Sequence, residues 1–279
     1  MTAATLAEAA AIEAVEAGAW ADLVAACPPR HAAQIGLGAR WAGPVLVVQC
    51  PGGGFDRGLF NRPIGLGVLE PATRAAVAAI AAGLEAAGAT RSMLVSQPQC
   101  TPPAYPEWLT ELRLEPTGSW DRVVRDGRPL PAATGGAGGR DIVVSPVGPE
   151  AVEEWSELLA GVYRADAGPW LRALHGRPGW RHYLARENGR PVAARSMYLA
   201  GPGEVGFLAI DGPVPGVMTA DYGPDAAILA RIVADGLRLG AAGFAADIEA
   251  PSPAGDTPAY ATFARLGFRV PYARTHHMR

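Results

Sequence analysis

The chain has 279 residues, enough for two domains of ordinary size, and 49% hydrophobic against 18% charged residues gives each half the material for a core. A formal net charge of −3 offers no general attraction to a phosphate backbone or an anionic lipid surface, so neither nucleic acid nor membrane is expected as a partner. No apolar run reaches the length of a membrane span. The Ala-rich N-terminal helix pattern is punctuated by Glu8, Glu13, Glu16 and Asp22 instead of the basic-then-apolar order of a secretory signal, so a cytoplasmic protein is expected.

In chain order, a helix is predicted over 6–26 and strands over 37–41, 45–49 and 60–68. A helix over 72–87 is stopped by Gly88, and Glu70-Pro71 is read as its opening, capped by its own acid. A strand over 92–97, a helix over 106–112 and a strand over 120–125 complete the first half. Residues 128–140 carry Pro129, Pro131 and four glycines with no apolar periodicity, the composition of a flexible linker. The expected division is a first domain over 1–127, this linker, and a second domain over 141–279.

The second half opens with a strand over 142–147. A helix over 150–164 follows, with Val152, Trp155, Leu158, Leu159 and Val162 at helical spacing, and then a short helix over 169–174. Strands over 180–186 and 191–200 are joined by Glu187-Asn188-Gly189, a strong hairpin signal. A strand over 204–211, a helix over 225–239 stopped by Gly240, and a strand over 244–249 come next. Pro258 suits the first turn of a last helix, Gly267 its left-handed stop, and an aromatic-rich strand runs on from there. The two halves repeat one element order, the sign of an internal duplication.

The stretch Pro258-Ala-Tyr-Ala-Thr-Phe-Ala-Arg-Leu-Gly-Phe-Arg-Val-Pro-Tyr272 resembles the closing motif of the GCN5-related N-acetyltransferase (GNAT) superfamily. The repeated order resembles its tandem members, with Leu112-Arg-Leu114 standing where Leu266-Gly-Phe268 stands in the second half. The resemblance implies an α/β chain of two tandem domains, each a mixed, mostly antiparallel sheet flanked by helices. It implies an N-acyltransferase that moves an acyl group from acetyl-CoA, or another acyl-CoA, to a small-molecule amine without a metal, as a monomer or homodimer. The alternative is a GNAT-fold protein that has lost CoA and serves as a binding protein or catalyses another biosynthetic step.

The resemblance also implies where ligands sit. The pantetheine arm would run along the backbone of Leu208, Ala209 and Ile210. The diphosphate would lie at the loop and helix start formed by Met218, Ala220, Asp221, Tyr222, Gly223, Pro224 and Asp225. Here Met218 replaces the family's Gln or Arg, and Asp221 replaces its first Gly. Two readings stay open, an altered CoA loop or a helix start capped by its own acids. Phe263 and Asp256 stand where many relatives carry Tyr and Asn. Tyr260, three residues before Phe263, is the candidate to protonate the departing thiolate, or else a half-buried residue with its hydroxyl at the surface. Glu249 at a strand end is the candidate base, or else a solvated strand-end acid, with Asp211 as second choice. The first half, where Gly65 and Gly67 alternate in the predicted strand, is read as scaffold.

Other side chains give weaker signals. Cys27, Cys50 and Cys100 lack metal or disulfide spacing and are expected as buried thiols. His31, His175 and His182 show no Ser or Cys partner in sequence, and His276-His277 are expected in an exposed tail, or else one of the two lines the acceptor pocket. Trp155 and Tyr163 are expected in the core, and Trp170 as a pocket wall.

Overall fold

The computed structural model describes residues 4–55, 58–130, 141–213, 223–249 and 258–278. They form two compact units, Met1–Arg122 with Pro271–Arg279, and Val123–Val270. The last nine residues therefore fall in the unit of the N-terminal half, whereas the sequence reading places them in the domain over 141–279. No helix among the described residues is long and apolar enough to cross a membrane.

The first unit opens with α1 (Leu6–Ala26), whose Thr5 and Glu8 form a reciprocal capping box. A short α2 (Pro29–Ile35), absent from the sequence reading, starts on a proline and ends at left-handed Gly36. Strands β1 (Gly38–Ala42), β2 (Val45–Gln49) and β3 (Arg62–Ile64) pair antiparallel in that order. The strand expected over 60–68 is cut short because Gly65 and Gly67 take φ of 85° and 78° and turn the chain. Helix α3 (Arg74–Ala86) is capped by Thr73, which accepts from the Ala76 N–H at 3.1 Å, and not by Glu70. After β4 (Met93–Ser96) and α4 (Tyr105–Glu111) comes the long β5 (Glu115–Asp126), which passes from the first unit into the second at Val123. The C-terminal strand β11 (Arg269–Met278) pairs antiparallel with β4, from Thr275 opposite Ser96 to Met278 opposite Met93.

The second unit contains β6 (Ile142–Pro146), α5 (Val152–Tyr163), α6 (Gly168–Leu174), β7 (Trp180–Glu187), β8 (Arg190–Tyr198) and β9 (Val205–Pro213). It continues with α7 (Gly223–Arg238), β10 (Gly243–Glu249) and α8 (Pro258–Arg265). Its strand order is β5-β10-β9-β8-β7-β6, antiparallel from β6 to β9 and parallel between β9 and β10. The hairpin turn is the two-residue kind with both central residues left-handed, Asn188 at φ 51° and Gly189 at φ 79°. Ile228, Leu229 and Ile232 of α7 share one core with Phe244 of β10 and Phe263 of α8. Gly236 makes that packing possible, since a Cβ there would stand 2.5 Å from the Phe244 ring.

Helices α4 and α8 end alike. After α8, the Gly267 N–H donates to the Ala264 carbonyl and the Phe268 N–H to the Phe263 carbonyl. After α4, the Arg113 N–H donates to the Thr110 carbonyl and the Leu114 N–H to the Leu109 carbonyl. Arg113 at φ 58° thus fills the left-handed position that Gly267 fills at φ 84°.

Candidate functional site

Strands β9 and β10 begin side by side and then part. They pair at Val205–Gly243, Gly206–Phe244 and Phe207–Ala245, and at no later position among the described residues. On its other edge β9 stays with β8 as far as Pro213 opposite Ala193. So β10 leaves β9, and a wedge opens between residues 208–212 and 246–248. The β8–β9 ladder slips by one residue, with Ser196 opposite Ala209 and Ala194 opposite Gly212. Ile210 and Asp211 therefore both face Arg195, the arrangement of a β-bulge. Ile210 takes φ 52°, an uncommon conformation for a β-branched residue. Of the residues expected to hold the arm, Leu208 is buried while Ala209 and Ile210 are half-buried at the wedge.

Arg195, which the sequence reading missed, organises the open end. Its Nη2 donates to Asp211 Oδ2 and to Asp225 Oδ1, both at 3.0 Å, and its Nε donates to Asp225 Oδ1 at 3.2 Å. Its guanidinium carbon also lies 5.8 Å from the centre of the Phe263 ring. The signal was present in Val192-Ala-Ala-Arg195-Ser-Met197, where a charge on an apolar strand face demands a buried partner. Helix α7 opens at Gly223, two residues before the start expected at Asp225, and Gly223, Pro224 and Asp225 are all buried. Burial raises the Asp225 carboxyl above its ordinary pKa, and Arg195 opposes that rise. On the other side, the Tyr163 hydroxyl at the end of α5 donates to the Asp211 carbonyl at 2.9 Å, tying that helix to the bulge.

Helix α8 carries the candidate acid. Tyr260 packs against the core of the second unit, and its hydroxyl is buried with no hydrogen-bond partner among the described residues, not at the surface. Phe263, one turn on, is core, 2% exposed and edge-on to Phe268 at 5.0 Å. Glu249 is the last residue of β10, beyond the point where the strands part. Met218, Ala220, Asp221, Tyr222 and Asp256 lie outside the described residues.

Several expectations are corrected. His182 does have a serine partner, since its Nδ1 lies 2.8 Å from Ser196 Oγ across the hairpin. Burial and nearby His175 push its pKa down to about 3, and Trp155 lies 4.2 Å from its ring. His276 and His277 are buried, not an exposed tail. His276 meets the Trp120 ring at 4.3 Å, and His277 Nε2 lies 2.8 Å from Ser96 Oγ. Trp170 is 2% exposed, so it fills core instead of walling a pocket. All three cysteines are buried thiols outside any disulfide among the described residues, with burial raising Cys27 and Cys100 to about 11. Among the described residues no group of His, Cys, Asp and Glu is placed to hold a metal ion.

No family model and no curated protein matches the sequence. Solved structures do match the fold. A GCN5-related N-acetyltransferase from Kribbella flavida aligns with a TM-score of 0.62 at 18% identity, over 96% of this chain and 95% of that one. A GCN5-related N-acetyltransferase from Sphaerobacter thermophilus aligns at 0.53 and 13% identity, over 84% and 80%. A tandem GNAT protein from the clavulanic acid biosynthesis pathway aligns at 0.52 and 14%, over 74% and 69%. With its parted parallel strands, bulged β9 and repeated helix-stop-strand ending, this chain has the fold of the GCN5-related N-acetyltransferases.

Proposed function

We propose that this chain is an N-acyltransferase that moves an acyl group from acetyl-CoA or a related acyl-CoA to a small-molecule amine. The observation that carries the reading is the departure of β10 from β9 beyond Phe207 and Ala245. It leaves a strand edge of β9 open to an extended arm that pairs like an added strand. The residues at the wedge suit such an arm. At the diphosphate end, the Asp225 carboxylate is turned to Arg195, so its charge is offset where the anion would approach.

Acyl-CoA would supply an activated thioester whose leaving group is a thiolate. The chain supplies position and proton traffic. Backbone N–H groups of β9 at the bulge are the donors for the thioester oxygen. Glu249, beyond the parting of the strands, is the group to take the proton of the attacking amine. The Tyr260 hydroxyl, buried without a partner among the described residues, is the proton source for the departing sulfur. Asp211, 51% exposed at the open end, adds negative charge that favours a cationic acceptor.

The test is thiol release from acetyl-CoA across a panel of small amines. Turnover is expected for at least one amine, with Glu249→Gln lowering kcat while acetyl-CoA affinity is retained. No thiol release and no thermal shift at millimolar acetyl-CoA would contradict the reading. The Asp225–Arg195 pair favours one second reading, a GNAT-fold protein that binds its ligand without CoA. It predicts stabilisation by an amine alone.

A further inference from the structure

The three-stranded sheet of the first unit has an open edge at β1. That strand pairs with β2 along its whole length, from Gly38 opposite Gln49 to Ala42 opposite Val45. No strand pairs with its other edge among the described residues. The second unit shows what such an edge takes. There β7, like β1, follows two helices and leads through a two-residue turn into the next strand. Its outer edge is covered by β6, from Ile142 opposite Glu187 to Pro146 opposite Tyr183. An open edge is a template for another strand, and proteins blunt one with a proline, a bulge or an inward charge. β1 contains no proline, and its ladder with β2 runs without a register shift.

The side chains of β1 say what fits that edge. Ala39, Arg40 and Trp41 are all exposed, and Trp41 leaves 54% of its surface to solvent. An exposed tryptophan standing opposite the buried Leu46 of β2 is the kind of residue that anchors interfaces. Arg40 belongs to the other face of the sheet. Its guanidinium reaches α3, where a Cβ on Gly83 would stand 3.3 Å from Nη2. Glu70 lies beside the β1–β2 turn, its carboxylate oxygen 3.0 Å from where a Cβ on Gly43 would stand. Arg40 and Glu70 are both exposed. The edge therefore carries a base along the strand, an apolar ring next to it and an acid at the turn. That sequence of charges is complementary to itself when reversed.

We propose that β1 is the surface through which two copies of this chain pair, edge to edge and antiparallel, with Trp41 opposite Trp41 of the second copy. This register sets Arg40 opposite Ala42 of the second copy, one residue from Gly43 and so within reach of the Glu70 carboxylate beside that turn. A two-fold axis repeats the ion pair, and the contact closes after two copies instead of growing into a filament. Main-chain hydrogen bonds join the two sheets, while the tryptophan pair and the two ion pairs fix the register.

Sedimentation equilibrium on the full chain tests the contact, and acyl transfer does not enter the measurement. The native chain is expected at twice the monomer mass. Trp41→Glu sets two acids opposite each other and should weaken dimerisation by at least about tenfold. Arg40→Glu and Glu70→Arg each bring like charges together and should each weaken it by roughly threefold to tenfold. The two exchanges combined should restore the native affinity, a recovery that damage to the fold would not produce. A chain that stays monomeric overturns the proposal, as does a dimer indifferent to Trp41→Glu or an assembly that grows beyond two copies. If Trp41→Glu fails to fold, the charge exchange decides, and a double exchange no tighter than either single one overturns the proposal.

Discussion

Arg195 of β8 and Asp225 in the first turn of α7 form an ion pair at 3.0 Å, with side chains only 7% and 9% exposed. A pair this deeply buried gives little net stability, but breaking one side of it strands a charge. Arg195→Met is expected to cost about 3–5 kcal/mol in urea unfolding, and adding Asp225→Asn should recover part of that loss. The pH dependence has a defined sign. Burial raises the folded-state pKa of Asp225 and Arg195 opposes it, so protonation of Asp225 favours the fold. Its contribution weakens as pH rises through that raised pKa. In Arg195→Met the dependence should move to higher pH, and in Asp225→Asn it should vanish.

His182 gives the opposite dependence. Its pKa falls from 6.5 to about 3 on folding, because burial disfavours the charged ring and His175 adds to the effect. The unfolded chain therefore takes up a proton that the folded chain refuses. Its contribution to stability is complete above pH 6.5 and is lost as pH falls toward 3, by up to about 1.4 kcal/mol per unit. Urea midpoints at pH 7, 6 and 5 should decline, and His182→Phe should flatten the trend.

Arg113 occupies a left-handed position that its repeat counterpart gives to glycine. Arg113→Gly is expected to stabilise the chain by roughly 1 kcal/mol, whereas Gly267→Ala should destabilise it by a similar amount. Thermal unfolding of the two variants checks both signs.

Tyr260 separates chemistry from packing. Removing a buried hydroxyl that has no partner among the described residues should leave stability unchanged or slightly raised. Tyr260→Phe should nevertheless lower the rate of thiol release by about 10²–10⁴ if this hydroxyl protonates the leaving sulfur. An unchanged rate would remove Tyr260 from the mechanism.

Elements were more legible in the sequence than the side-chain pairs that give them meaning. Asn188-Gly189 announced its hairpin, and Gly267 its helix stop, because few residues accept left-handed backbone. Extending that hairpin without interruption would set His182 opposite Arg195. The slip between Ala185 and Arg186 sets it opposite Ser196 instead, and nothing in the sequence marks the slip. The bulge at Ile210 was equally hidden, since an isoleucine there reads as ordinary strand. Glu13 and Glu16 read only as acids punctuating an Ala-rich helix. Their partners come from β3, β5 and β11, as far away as Arg274, and local spacing carries no trace of such contacts. Glu70 was read as the cap of its helix, but the Thr73 hydroxyl, closer to the first turn, takes that place.

The central claim is that the wedge between β9 and β10 receives the arm of an acyl thioester. The most direct test is a crystal structure of the chain grown with saturating acetyl-CoA. The account predicts continuous density for the pantetheine arm beside Leu208, Ala209 and Ile210, with the thioester near Glu249 and Tyr260. A wedge without ligand density at saturating acetyl-CoA, or acetyl-CoA bound elsewhere on the chain, would contradict it.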